Sequence, residues 1–238
     1  MIAIFSPGTA RCVLSAFPTF KPIVAGSRSR AKKSREVLIA QASFLSKMRT
    51  TAPGQSALLL LDVIDLLNKR HIPYAIIGAF AASFYGVVRA SLDADAVISI
   101  RTVRDGNELC QDLKALGLSV ERRSDDHEDP IAAVINIQDS FHNRVDLLTG
   151  IRGMSEEAFH RAEETRFMKS SIKMVGLEDF IAMKIFAGSP KDLADVIGVL
   201  EVSNNKVKPG LLKELTAAYG KKCLTQLQTI LKDRPLKR

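Results

Sequence analysis

The sequence predicts an α+β protein, with short apolar strands building a sheet, helices flanking it and a helical portion closing the chain. Three observations lead there. Between residues 56 and 176, short apolar runs alternate with stretches of helical periodicity. Two of those runs carry aspartates among apolar neighbours, Asp93 and Asp95 in one and Asp146 in the other. From Leu177 onward the strand pattern stops and helices follow one another. At 238 residues, 46% of them hydrophobic, the chain can bury one good core or two small ones. Charges interrupt every stretch before it reaches the ~18 apolar residues of a membrane span.

Taken in order, Ser56 is the expected N-cap of a helix through Leu58–Lys69, whose apolar face is Leu59, Val63, Leu66 and Leu67. Residues 69–73 turn the chain into a strand at Tyr74–Ile77. Gly78 stops that strand, Ala79–Tyr85 reads as a small-residue helix, and Gly86 ends it. A second apolar run follows, up to Ile100, with Asp93 and Asp95 in it. Val103–Leu116 is an amphipathic helix with Leu109, Leu113 and Leu116 on one face, stopped by Gly117. Leu118–Glu121 reads as a short strand. Residues 122–130, with Asp125, Asp126, Glu128 and Asp129, read as a solvated loop that lacks the glycine and terminal glutamate of an EF-hand. Ile131–Ile137 and Phe141–Leu148 form the expected hairpin that brings Asp146 to the sheet. Ser155 is expected to cap a short helix, and Thr165–Met168 and Ser171–Met174 to be two short strands. The closing helices are Leu177–Phe186, ended by Gly188; Lys191–Glu201, introduced by Ser189-Pro190 as N-cap and N1; and two more near Pro209–Tyr219 and Lys221–Lys232.

The chemistry concentrates on the aspartates. Carboxylates at i and i+2 of a strand point to one face, roughly 7 Å apart. Two acids on an apolar strand are costly unless a cation or hydrogen bonds satisfy them. If the Asp146 strand lies beside theirs, about 5 Å away, three carboxylates converge and can hold Mg²⁺ against substrate phosphates. Two metals about 4 Å apart stabilise the attacking and leaving oxygens of phosphoryl transfer. Gly78, at a strand-to-helix turn, lets backbone approach phosphates closely, and a helix N-terminus favours an anion.

The succession Gly78-Ala79, Asp93-x-Asp95 and Asp146 resembles the nucleotidyltransferase (polymerase-beta-like) family. Within it, the closest pattern is the abortive-infection, AbiEii-type group, which includes toxins of toxin–antitoxin pairs. Leu177-Glu178-Asp179 with Lys184, then Lys191-Asp192 and Asp195, is similar to that group's C-terminal pattern of a lysine, a Lys-Asp and a later aspartate. The resemblance covers roughly residues 56–202. It implies a mixed sheet of nucleotidyltransferase fold, with Asp93, Asp95 and Asp146 as catalytic residues and Mg²⁺ ligands. It also implies nucleotide binding by Gly78, Ala79, Arg89, Lys184 and Asp192, with Lys184 facing the phosphates from a helix that packs across the cleft from Asp93 and Asp95. Asp192 and Asp195 would hold the helix pair or orient the acceptor. The implied activity moves a nucleoside monophosphate from a nucleoside triphosphate to an RNA 3′ end (tRNA included), a protein or a small molecule. An antitoxin protein is the partner that goes with a toxin role. The family usually has Gly-Gly or Gly-Ser where this chain has Gly78-Ala79, which keeps the backbone N–H and gives up a hydroxyl or a glycine. A catalytically impaired binding protein on the same fold is therefore the alternative function class, and the retained acids count against it. Arg89 has two readings, binding a nucleotide phosphate or pairing with an acid.

The net charge of +8 is unevenly spread. Residues 1–47 hold eight basic residues and one acid, Glu36, which leaves the remainder at +1. The folded part is nearly neutral, so its global charge is no reason to invoke nucleic acid. The expected organisation is a basic extension over 1–55, a nucleotidyltransferase-like domain over 56–176 and a helical region over 177–238. The basic extension reads as a transit peptide, as a flexible arm that touches phosphates, or as residues upstream of a true start at Met48. Cys12, Cys110 and Cys223 show neither metal spacing nor even pairing, which suits a reduced, cytoplasmic protein. The four histidines are scattered.

Overall fold

A leucine-rich helix lays down the first layer. In the structure, a computed structural model that describes residues 48–124 and 129–236, α1 (Ser56–Lys69) buries Leu59, Leu60, Leu61, Val63, Ile64, Leu66 and Leu67. That stripe is wider than a surface helix needs, so α1 is a core element. Its expected cap does something else. Gln55 holds the N-cap position without a side-chain cap, whereas Ser56 is buried; its hydroxyl donates to the Leu92 carbonyl (2.5 Å) and accepts from the Arg144 N–H (3.0 Å). Ser56 thereby ties α1 to the entrances of two strands. The expectations for residues 1–47 and for Asp125, Asp126 and Glu128 lie outside the described residues.

The strands are β1 (Tyr74–Ile76), β2 (Asp93–Ile98), β3 (Ser119–Ser124), β4 (Ile131–Gln138), β5 (Arg144–Ile151), β6 (Glu163–Phe167) and β7 (Ser170–Met174). They form one mixed sheet in the order β3-β4-β5-β2-β1-β7-β6. β2 runs parallel to β5 and β1 parallel to β7, and the remaining neighbours are antiparallel. Two strand limits differ from the sequence reading. β3 continues through Arg122, Arg123 and Ser124, which pair with Ile135, Val134 and Ala133; a charged edge strand has the composition of a loop. The β4–β5 turn is longer than the run of apolar residues suggests. Asp139 Oδ1 accepts from the N–H groups of Phe141 and Asn143, so Phe141 belongs to the turn and pairing starts at Arg144.

Alternation splits the sheet into two faces. Ala94, Ala96, Ile98, Ile135, Ile137, Val145 and Leu147 pack with α1 and with α3 (Val103–Ala115). The other face sends Ala75, Ile77, Val97 and Ile151 into a second core. There they meet α2 (Gly78–Phe84), α5 (Leu177–Ala187), α6 (Pro190–Ser203), α7 (Pro209–Ala218) and α8 (Lys221–Asp233). The sheet and the closing helices thus share one apolar interior. α5 is buried on nearly all sides, so even its acids need partners. Glu178 accepts from the Lys208 N–H (2.7 Å), and Asp179 is gripped by both ends of the Arg161 guanidinium (2.7 and 2.7 Å). Gly188 ends α5 at φ 66°, and Ser189 with Pro190 opens α6, its hydroxyl accepting from the Asp192 N–H. The short α4 (Glu157–His160) lacks the expected serine cap: Ser155 contributes its carbonyl, which accepts from the Ala158 N–H. Among the described residues, no helix is long and apolar enough to cross a membrane.

Candidate active site

Strand pairing brings the three aspartates together. In the parallel β2–β5 register Asp95 stands opposite Asp146, and Asp93 opposite Arg144. Neighbouring strands lie about 5 Å apart, and alternation puts all three carboxylates on the face turned away from α1. Each is half-buried. β4 extends the row. Asn136 stands opposite Asp146 and its amide donates to Asp146 Oδ1 at 2.8 Å. Burial, then the negative charges of Asp146 and Asp93, push the Asp95 carboxyl above its ordinary range, while Lys184 and Arg89 pull against them. Hard oxygen donors of this kind suit a Mg²⁺-like cation. As the side chains stand, no three His, Cys, Asp or Glu groups among the described residues converge closely enough to hold an ion jointly.

Gly78 meets Asp95 directly. It sits at the turn from β1 into α2 with φ 65°, and a Cβ built on it would lie 2.0 Å from Asp95 Oδ2. The Ile77 N–H also donates to the Asp95 carbonyl at 3.0 Å. The glycine is required both by its left-handed backbone and by the carboxylate resting on it. Ala79 is buried, so what this position can offer a ligand is its N–H.

Two clefts flank the row. One, of about 420 Å³, opens between the sheet and α5 and is mostly apolar, with Ile77, Leu148, Phe180 and Met183 in its walls and Asp95 and Lys184 at its polar end. The other, of about 340 Å³, lies over β3–β4–β5 and is polar, with Asn136, Gln138 and Arg144 beside Asp93 and Asp146. A larger cavity, about 990 Å³, opens at the far end of β2 between His71, Ser99, Arg101 and Phe159. It holds none of the predicted residues, and the chemistry places the candidate site at the smaller pair.

The cations come from the loop before β2 and from α5. Lys184 Nζ donates to Asp192 Oδ1 (2.6 Å) and lies 3.0 Å from Asp195 Oδ2; it also stands 5.8 Å from the centre of the Phe180 ring. Arg89 pairs with an acid, Nε to Asp195 Oδ1 at 3.1 Å. Burial works to raise the Asp192 carboxyl, but hydrogen bonds from Lys184 and Ser189 outweigh it and hold the group below its ordinary range. Lys184 therefore stands on the wall of the Asp95 cleft, engaged by two carboxylates. Gly78, Asp95, Lys184 and Asp192 line the apolar cleft, Ala79 follows Gly78 in α2, and Arg89 is tied to Lys184 through their shared partner Asp195, whereas Asp93 and Asp146 face the polar cleft. Asn136 went unnoticed in the sequence. Its signal was there, since Asn136 and Gln138 are the polar i, i+2 positions closing an apolar strand whose hairpin partner carries Asp146.

No protein-family model matches the chain, and no curated protein does. Among solved structures it is similar to ANT(2″)-Ia in complex with adenylyl-2″-tobramycin, at 16% identity over 69% of this chain and 96% of that one, with a TM-score of 0.48. It is similar to the lincomycin-bound lincosamide antibiotic adenylyltransferase LnuA, at 11% identity over 64% of this chain and 99% of that one, TM-score 0.42. An antigenic nucleotidyltransferase-like protein from Paracoccidioides brasiliensis matches at 16% identity over 76% and 89%, TM-score 0.46.

Proposed function

We propose that this chain is a Mg²⁺-dependent nucleotidyltransferase, which moves a nucleoside monophosphate from a nucleoside triphosphate to an acceptor such as an RNA 3′ end, a protein or a small molecule. One observation carries the reading. Asp95 and Asp146 stand in register on adjacent parallel strands, Asp93 shares their face, and the three divide an apolar cleft from a polar one. Residues 56–176 supply these acids, and residues 177–238 supply Lys184 and Asp192. The donors fit a hard cation in kind. Asp93, Asp95 and Asp146 would hold Mg²⁺, which when bound would offset the charge of the phosphates.

The rest is work for the chain's own residues. The base and sugar occupy the apolar cleft under Phe180 and Leu148. Lys184, Arg89 and the N–H groups of Gly78 and Ala79 contact the phosphates. The acceptor enters from the polar side, and its hydroxyl oxygen attacks the α-phosphorus. The bond to the departing pyrophosphate breaks, and the hydroxyl proton passes to Asp146, held in place by Asn136. By resemblance to the abortive-infection group, the proposal extends to a toxin's role with an antitoxin protein as partner. The test is incubation of the purified protein with labelled nucleoside triphosphates, Mg²⁺ and total RNA or protein. Asp93→Ala and Asp146→Ala should each abolish incorporation; equal incorporation by wild type and both variants refutes the assignment.

A further inference from the structure

One face of α6 carries the segment that leads into the acid strand. Asp195, Gly198 and Val202 follow one another at helical spacing, and Ser203 ends the helix beside Val202. Asp195 pairs with Arg89, Gly198 lies under Val87, Val202 lies over Gly86, and the Ser203 hydroxyl donates to the Tyr85 carbonyl at 3.1 Å. Asp195 is the charged member of this face and its carboxylate is 3% exposed. Both of its oxygens are directed at cations, Oδ1 at Arg89 and Oδ2 at Lys184. At Oδ2 the contact is ionic, because no hydrogen-bond donor is aligned with that atom.

Neither cation is used up by these contacts. Arg89 engages Asp195 through Nε, and a guanidinium has four further N–H donors on its two terminal nitrogens. Lys184 gives one of its three donors to Asp192. Both side chains are largely shielded, at 20% and 13% exposure, and both act on the Asp95 carboxyl. Long basic side chains carry considerable rotamer entropy; a shared buried anion removes that freedom before any ligand arrives.

We infer that Asp195 is a positioning residue for the triphosphate, holding Arg89 and Lys184 side by side at the Asp95 end of the apolar cleft so that their spare N–H donors meet one phosphate chain. The inference rests on the proposed transferase function. It assigns Arg89 both of the alternatives that its sequence left open, because the acid pairing is what presents the guanidinium to phosphate.

The test uses the full chain and steady-state kinetics with Mg²⁺ and a varied nucleoside triphosphate. Asp195→Asn keeps the size of the side chain and removes the charge. It should raise KM for the triphosphate about tenfold, the size of one charge-assisted contact, with a smaller change in kcat. Arg89→Ala should do the same, and the double variant should be no worse than the poorer single one, because both remove one arrangement. A merely structural role would lower kcat in step with the folded fraction and leave KM alone; that result, or effects that multiply in the double variant, overturns the inference. Should Asp195→Asn fail to fold, Asp195→Ser, smaller and equally uncharged, takes its place: an unchanged KM overturns the inference and a raised one supports it. A wild type that neither binds nor transfers a nucleotide refutes the transferase function, and the positioning role falls with it. A wild type that is active while Asp195→Asn has an unaltered KM refutes the positioning role alone.

Discussion

Gly78→Ala separates the site from the fold. Its backbone has φ 65°, where an L-residue costs about 1–2 kcal/mol; about 0.4–1 kcal/mol returns through the stiffer unfolded chain. Stability should fall by about 1 kcal/mol, a shift of roughly 2–4 °C in a chain of this size. The effect on Asp95 is larger. The new Cβ would lie 2.0 Å from Oδ2, 2.9 Å from Cγ and 3.1 Å from Cβ of Asp95, so the whole side chain must swing aside, not its tip alone. A misplacement of about 1 Å in a reacting group costs about a hundredfold, and nucleotide incorporation should fall by at least that much. Gly54→Ala is the control. Gly54 has φ 79° and nothing within 4 Å of the added carbon, so it carries the strain without the collision and should melt lower at full activity. The assays are thermal melting and incorporation of labelled nucleotide. A Gly78→Ala protein as active as wild type, or a Gly54→Ala protein equally impaired, refutes the reasoning.

Lys184→Ala should weaken triphosphate binding by about 1.5–3 kcal/mol in calorimetry. It should also lower stability in urea, because Asp192 and the buried Asp195 lose their shared cation. Arg49→Ala takes the guanidinium (Nη1 at 2.5 Å) from Asp62, whose carboxylate is 4% exposed, and leaves it the backbone N–H of residue 49 at 3.1 Å. The expected loss is about 2 kcal/mol, below that of a fully broken buried pair because Arg49 is itself partly solvated and the backbone N–H remains; a chain starting at Ser56 should melt well below one starting at Met48. Asp192→Asn should destabilise at neutral pH. The folded carboxyl is held below its ordinary range, so its contribution is present above pH ~4 and is lost as acid titrates the folded group. The melting temperatures of wild type and variant should therefore converge in strong acid, and a gap independent of pH rules that coupling out.

The order of helices and strands was legible in the sequence because its causes are local. Apolar period, a glycine at φ 66° after α5 and the Ser189-Pro190 pair before α6 act within a turn or two of the residues concerned. Aspartates inside apolar runs also announced themselves, since burying charge is too costly to be casual. Pairing was another matter. Periodicity tells which way a side chain points and says nothing of what it meets. Only the β2–β5 register set Asp95 against Asp146, only the β4–β5 hairpin put Asn136 on Asp146, and only the packing of α6 on the loop before β2 settled which acid Arg89 takes. Ser56 and Ser155 went astray for the same reason: a serine before a helix satisfies the local rule for a cap, and for Ser56 the tertiary structure offered strand partners instead. Arg122–Ser124 looked like loop because a charged edge strand has no apolar period to show, and it became strand because β4 lay beside it with free backbone groups to pair.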